Sequence, residues 1–298
     1  MKKNVQILLK WAFAVAAYGF LAYKLLTFEH YGELFKRLQS FEIQRFTWLL
    51  AVLLLLIPNL ALEARKWQFL TCKIEKIPLK IALQAVVAGI STGFFTPNRI
   101  GEMAGRVLYL MPENRRKGVI LSIISGITMS LTILILGVPA LTAFLFFTGK
   151  TFIDNKLVYF SVVIFFTIFL LIFYFALPKI GKLFTEHSKF SKIKTFFSHL
   201  QNFTVADLLS IFYIAMARYF VFCLQFYCML RFFDIDISLI RSLSGICTNY
   251  LFITFTPSFS FSEAAVRGSY AVIVFGAFGA DEVSCVLTGI CIWLINTI

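Results

Sequence analysis

Apolar runs of roughly 20 residues recur along the chain, the length a helix needs to cross the hydrocarbon core of a bilayer. That recurrence constrains the fold more than any motif, because only helices and closed barrels satisfy every backbone polar group in lipid. Unbroken apolar runs point to helices. Hydrophobic residues make up 59% of the sequence and mean hydropathy is +0.84, so an all-α polytopic membrane protein is expected. Spans fall at about 7 to 27, 47 to 62, 118 to 137 with an apolar continuation to 147, 157 to 177, 206 to 230 and 282 to 298. Trp11, Trp48, Trp67, Tyr109 and Tyr159 stand near span ends, as interfacial anchors do. The N-terminal "MKKNVQILLKWAFAVAAYGFLAY" outruns a signal-peptide core and lacks a small-x-small cleavage site, so it reads as a retained span. The final "VLTGICIWLINTI" stops without a polar tail, as a truncated chain would.

Two apolar segments, about 80 to 111 and 240 to 279, do not fit this series. Each is broken near its middle by a Thr-Pro turn, too long for one crossing and short for two. Both read as re-entrant helical hairpins. The distribution of basic residues supports this: if the first hairpin returns to the face it left, the clusters at Lys2 and Lys3, at Arg65, Lys66, Lys73, Lys76 and Lys80, at Arg115 to Lys117 and at Lys179 to Lys194 all lie on the cytoplasmic side. The loops around Asp154, Asp234 and Asp236 then lie outside. The order span, span, hairpin, span runs from about 7 to 147 and again, starting on the opposite side, from about 157 to 298. We therefore expect a single membrane domain of about six transmembrane helices plus two re-entrant hairpins in an inverted-topology repeat.

The basic segment 179–205 carries Ile180, Leu183, Phe184, Phe190, Ile193, Phe196 and Phe197 at close to helical spacing. It fits either an interfacial amphipathic helix or a solvated positive loop. The net charge of +13 is spread over short loops, which points to topology and anionic lipid headgroups rather than nucleic acid. The six cysteines include no CxxC, and the three histidines, His30, His187 and His199, fall in loops. No disulfide framework, metal site or cofactor is expected.

The two broken segments share a pattern. Phe95-Thr96-Pro97 is followed by Glu102 and Arg106, and Phe255-Thr256-Pro257 by Glu263 and Arg267. The hairpin turns are placed at Pro97, Asn98 and Gly101, and at Pro257 and Ser260. The glutamates allow two readings. Acidic residues favour a helix's first turn, Ser260 with Glu263 has capping-box spacing, and Glu and Arg four apart can neutralise each other. Alternatively, Arg99, Glu102, Arg106, Arg218, Glu263 and Arg267 form a binding site, since each would cost about 2.5 to 3.5 kcal/mol facing lipid at mid-depth and must face protein or a wet cavity. Arg218 lies in the middle of "LLSIFYIAMARYFVFCLQFYCML", a stretch without an acidic residue. Its candidate partners are Glu102, Glu263 or a ligand phosphate, with snorkelling as the plainer alternative. Half-helix N-termini at the two tips would add positive charge.

These residues resemble the transmembrane, flippase-like region of the lysylphosphatidylglycerol synthase family, which also occurs without the soluble synthase domain. "TPNRIGEMAGRVLYL" is similar to that family's Pro-Gly-Arg-x-Gly-Glu-x-x-Arg stretch at Pro97, Arg99, Gly101 and Glu102, with Arg106 one residue out of step. "PSFSFSEAAVRGSYAVIVFGAFG" resembles its later Pro-Gly-Gly-x-Gly-x-x-Glu-Ala segment at Pro257, Glu263 and Ala264, with serines and phenylalanines in place of glycines. The resemblance implies lipid translocation without naming the lipid. The expected function is a non-enzymatic flippase or transporter in a bacterial cytoplasmic membrane, with its N-terminus inside. It would move an anionic phospholipid or prenyl-phosphate lipid through a midplane site at the opposed hairpin tips. An intramembrane lipid-modifying enzyme is the rival, although the chain lacks a His, paired-Asp or nucleophile constellation. A non-transporting scaffold is the other.

Overall fold

The computed structural model describes Gly19 and residues 43–94, 96, 99–150, 156–187, 203–257 and 260–297. The expected span at about 7 to 27, the turn residues Pro97 and Asn98, and most of the basic segment 179–205 lie outside the described residues. Within them, all regular structure is helical. The helices are α1 (Ile43–Leu54), α2 (Leu56–Thr71), α3 (Leu79–Phe94), α4 (Gly101–Val107), α5 (Arg115–Phe147), α6 (Lys156–His187), α7 (Val205–Phe232), α8 (Leu239–Phe255), α9 (Ser260–Gly276) and α10 (Glu282–Thr297). Four stretches among the described residues are long and apolar enough to span a membrane: Arg45–Thr71, Pro112–Phe147, Phe160–Ile180 and Val205–Phe232.

Two boundaries differ from expectation. The second span does not end at 62: α1 and α2 run on through Leu55, whose N–H donates to Ala51 (2.9 Å) while its carbonyl accepts from Asn59 (3.2 Å). Pro58 has no N–H to donate to the Leu54 carbonyl, so one bond is missing where α1 meets α2, while the bonds on either side carry the helix through. This continuation carries Glu63 and Lys66 into the protein interior instead of leaving them in a cytoplasmic loop. The expected last span, about 282 to 298, is α10, Glu282–Thr297. Residues 179–187 continue α6 past Pro178 rather than beginning a separate interfacial helix.

The first broken segment folds as α3 and α4, the second as α8 and α9. Buried apolar side chains gather in two clusters. One contains Trp67, Leu70, Ala82, Val86, Leu121 and Tyr174; the other contains Tyr219, Phe226, Tyr250, Val274 and Phe275. Trp67 is wholly buried, not an interfacial anchor. α7 belongs to both clusters, through Leu208 and Ile211 at one end and Tyr219 to Leu230 at the other. The polar residues described next lie where the clusters meet.

Candidate functional site

Arg218 is the fourteenth residue of the 28 in α7, about 20 Å from either end. No snorkelling side chain covers that distance. Its partner is neither Glu102 nor Glu263. Instead Nη1 donates to Glu63 Oε2 at 2.6 Å and Nε to Asn59 Oδ1 at 2.8 Å. Glu63 is 1% exposed and also accepts from Lys66 Nζ at 2.8 Å and Arg106 Nη1 at 2.7 Å. Arg106 uses its remaining Nη2 on Glu102, one turn back on α4. One buried carboxylate thus joins three cations from three helices. Burying charge without such pairing would cost several kcal/mol per ion.

The local sequence explains how α4 comes within reach. Gly101 and Gly105 let it lie directly on α3: a Cβ at Gly105 would stand 2.2 Å from Thr92 Oγ1 and 2.6 Å from the Ala88 carbonyl, and one at Gly101 2.4 Å from the Thr92 carbonyl. Thr92 and Thr96 then staple the turn. Thr92 Oγ1 donates to the Gly101 carbonyl and Thr96 Oγ1 accepts from the Gly101 N–H, both at 2.7 Å. Arg99 adopts a positive φ of 55°, a conformation uncommon for a non-glycine residue. With only seven residues in α4, positive charge at this tip comes from arginine side chains rather than from a helix dipole.

At the second hairpin, Arg267 donates through Nε and Nη2 to Glu263 Oε1, at 3.2 and 2.7 Å. Glu263 Oε2 lies 3.6 Å from Arg99 Nε, and Arg99 Nη2 donates to Thr297 Oγ1 at 3.2 Å. Arg99 therefore reaches from the first hairpin to α9 and α10. Phe94 and Trp293 add a ring contact with centroids 6.1 Å apart across the same junction. Pro257 is exposed between α8 and α9, and Ser260 opens α9 as its first residue.

Arg99, Glu102, Arg106 and Arg218 line a cavity of about 370 Å³ together with Glu63, Lys66 and Ser122. Arg99, Glu102 and Arg218 also line a second of about 190 Å³, where Arg267, Tyr250 and Asn296 face them. Shared walls make these two lobes of one polar space. Among the described residues, five cations (Lys66, Arg99, Arg106, Arg218, Arg267) stand around it against three carboxylates (Glu63, Glu102, Glu263). Two buried donors in the first lobe, Ser122 Oγ and Arg106 Nε, have no hydrogen-bond partner. Such groups are rare in folded proteins and mark places where a further polar partner fits.

Residues 7–298 match the sequence model for the lysylphosphatidylglycerol synthase TM region. The chain belongs to this family. No curated protein and no solved structure matches it. In this member of the lysylphosphatidylglycerol synthase TM-region family, the six charged residues singled out from sequence converge on the polar space or pair with groups that line it. Three further residues, Asn59, Glu63 and Lys66, escaped that reading. Their signal was spacing: with Trp67 and Leu70 they recur at helical intervals along one face of α2, and all five are buried, while Arg65 faces out.

Proposed function

We propose that this protein is a flippase or transporter for an anionic, phosphate-bearing lipid, a phospholipid or prenyl phosphate, and not an enzyme. The observation that carries this is the surplus of cations over carboxylates around a buried polar space at the middle of α7. Positive charge that the described residues do not neutralise is costly at membrane depth, and a phosphate supplies counter-charge. The donor geometry agrees. Arg218 spends Nε and Nη1 on Asn59 and Glu63, leaving Nη2 for a ligand.

The two broken-helix hairpins act in this reading as opposed halves of an inverted repeat, in a bacterial cytoplasmic membrane with the N-terminus inside. Each exposes the site to one leaflet in turn. The headgroup crosses through the polar space while the hydrocarbon chains stay in the bilayer. Glu102 and Glu263 orient the arginines, and Glu263 releases its partners to the phosphate.

The test is movement between leaflets in proteoliposomes of a fluorescent anionic phospholipid or prenyl phosphate, against a neutral glycolipid. The anionic probe should move at least tenfold faster. Arg218→Ala should abolish the difference, and Arg218→Lys should retain only part of it, because an ammonium keeps the charge but not the planar fork that binds phosphate in pairs of hydrogen bonds. Equal rates for both probes, or rates unchanged in Arg218→Ala, would overturn the proposal.

A further inference from the structure

The polar space is not closed on the side of α5 and α6. Ser122, Ser125, Met129 and Ile133 face it from α5, at intervals of three and four residues. The neighbouring stripe of the same helix, Ile123, Ile127, Leu131 and Leu134, faces a different space of about 470 Å³. That space is an apolar groove whose other wall is α6, through Leu170, Phe173 and Leu177. Gly126 and Ser130 line both spaces, as does Met103 of α4. The ridge of α5 between the polar space and the groove is thus made of a residue with no side chain and one with a single hydroxymethyl. A Cβ placed on Gly126 would meet nothing within 4 Å.

The groove opens to the bilayer: Ile127 is 43% and Phe173 49% exposed. Its floor is fixed, because the buried Tyr174 hydroxyl meets Thr128 Oγ1 at 3.1 Å and donates to the Leu208 carbonyl at 3.2 Å, pinning α6 against α5 and α7. From Ile123 to Leu134 the groove runs about 16 Å along the helix, roughly half the thickness of a hydrocarbon core. One leaflet's worth of chain fills that length.

We infer that the groove between α5 and α6 is the seat of one hydrocarbon chain of the lipid whose phosphate occupies the polar space, and that the gap at Gly126 and Ser130 is where headgroup and chain are joined. This rests on the proposed lipid-transport function and adds to it the place of the chain and the side of the molecule from which lipid is admitted. A lipid is favoured over a soluble phosphate ester because the polar space opens directly onto an apolar, bilayer-facing channel. A soluble ester would gain nothing from that channel.

Phosphatidic acid bearing a mid-chain diazirine tests this in proteoliposomes, with diacylglycerol carrying the same chain as the neutral probe. Mapped crosslinks of phosphatidic acid should concentrate at least fivefold on the peptides containing Ile127 and Phe173, relative to diacylglycerol. Gly126→Phe should remove that enrichment and slow phosphatidic acid movement about tenfold. Ser130→Leu, at the same gap, provides a second variant should the first fail to accumulate. Crosslinks spread evenly over the lipid-facing helices, or enrichment and transport unchanged in both variants, would overturn the groove assignment while leaving transport that depends on Arg218 intact. Enrichment that survives Arg218→Ala would show ordinary bilayer lipid in the groove and overturn it as well. Movement indifferent to Arg218 would instead remove the functional reading beneath it.

Discussion

The two hairpins carry the same Thr-Pro break and the same Glu-x-x-x-Arg spacing, yet the structure uses them differently. In the first, Thr96 caps the Gly101 N–H; in the second, Thr256 is 2.7 Å from the Tyr270 hydroxyl instead. Gly101 and Gly105 of the first correspond to Ser262 and Val266 of the second, both buried. Glycine lets α4 lie on α3, whereas in the second hairpin the close approach is made by Gly289, where a Cβ would stand 2.7 Å from the Arg267 carbonyl. α9 is thus clamped to α10. Electrostatics follow the packing. Arg106 is held between Glu63 and Glu102, while Arg267 shares Glu263 with Arg99, whose side chain is 34% exposed. Under the proposed function, the same motif yields a fixed wall in one half and a partner-exchanging element in the other. The surrounding small residues decide which.

The largest effect should come from Glu63, the carboxylate on which the fixed wall depends. Glu63→Gln leaves Lys66, Arg106 and Arg218 with Glu102 as the one other carboxylate lining the first lobe of the polar space among the described residues. Removing one partner of a buried ion network costs about 3 to 5 kcal/mol. Thermal unfolding in detergent should show Glu63→Gln as the least stable single variant at the site, and adding Lys66→Met should restore part of the loss by removing one orphaned cation. A wild-type melting profile for Glu63→Gln would mean that the first hairpin is not held by this network.

Packing comes next. Gly105→Ala forces a Cβ against Thr92 and Ala88, and Gly289→Ala against the Arg267 carbonyl. Overpacking of this kind costs about 1 to 3 kcal/mol. Both variants should lower stability in the same assay, which would confirm that each hairpin has its own clamp, α3 for α4 and α10 for α9. If only Gly105→Ala does so, the comparison weakens to a single rigid hairpin.

The helix breaks and the six charged residues were legible in the sequence because lipid makes both conspicuous: a proline interrupts an apolar run, and a charge at depth demands a partner. The partners were less so. Hydropathy ended the second span at about 62, where Glu63, Arg65 and Lys66 cluster, since an average over a window treats a charge paired inside the protein like one in water. The distinction lies in which helix face each residue occupies. Glu63 and Lys66 share a face with Asn59, Trp67 and Leu70, and Arg65 does not. Long-range pairing has no local signature at all: nothing near Arg218 in sequence points to Glu63, 155 residues away. The tight seat of α4 was hinted at by Gly101 and Gly105, but the matching role of Gly289 required knowing that α10 folds back on α9.

The smallest effect should be the most informative about the second hairpin. Glu263 competes with any bound phosphate for Arg99 and Arg267, and because Arg99 is partly exposed and 3.6 Å away, solvent screens that competition. Glu263→Gln removes the competing charge while keeping a hydrogen-bond acceptor for Arg267. Stability should fall less than in Glu63→Gln, because Arg99 and Arg267 keep more access to solvent than Lys66 and Arg106. Affinity for phosphatidic acid should rise by about 1 kcal/mol, roughly fivefold, while movement between leaflets slows because the arginines lose the group that takes them back from the phosphate. Glu102→Gln should not behave this way, since Arg106 retains Glu63 and is already buried between helices. Titration of detergent-solubilised protein with phosphatidic acid, read alongside the proteoliposome rate, separates the two. Tighter binding with slower transport only in Glu263→Gln supports the division between fixed and exchanging hairpins; the same response in Glu102→Gln would make the halves functionally equivalent.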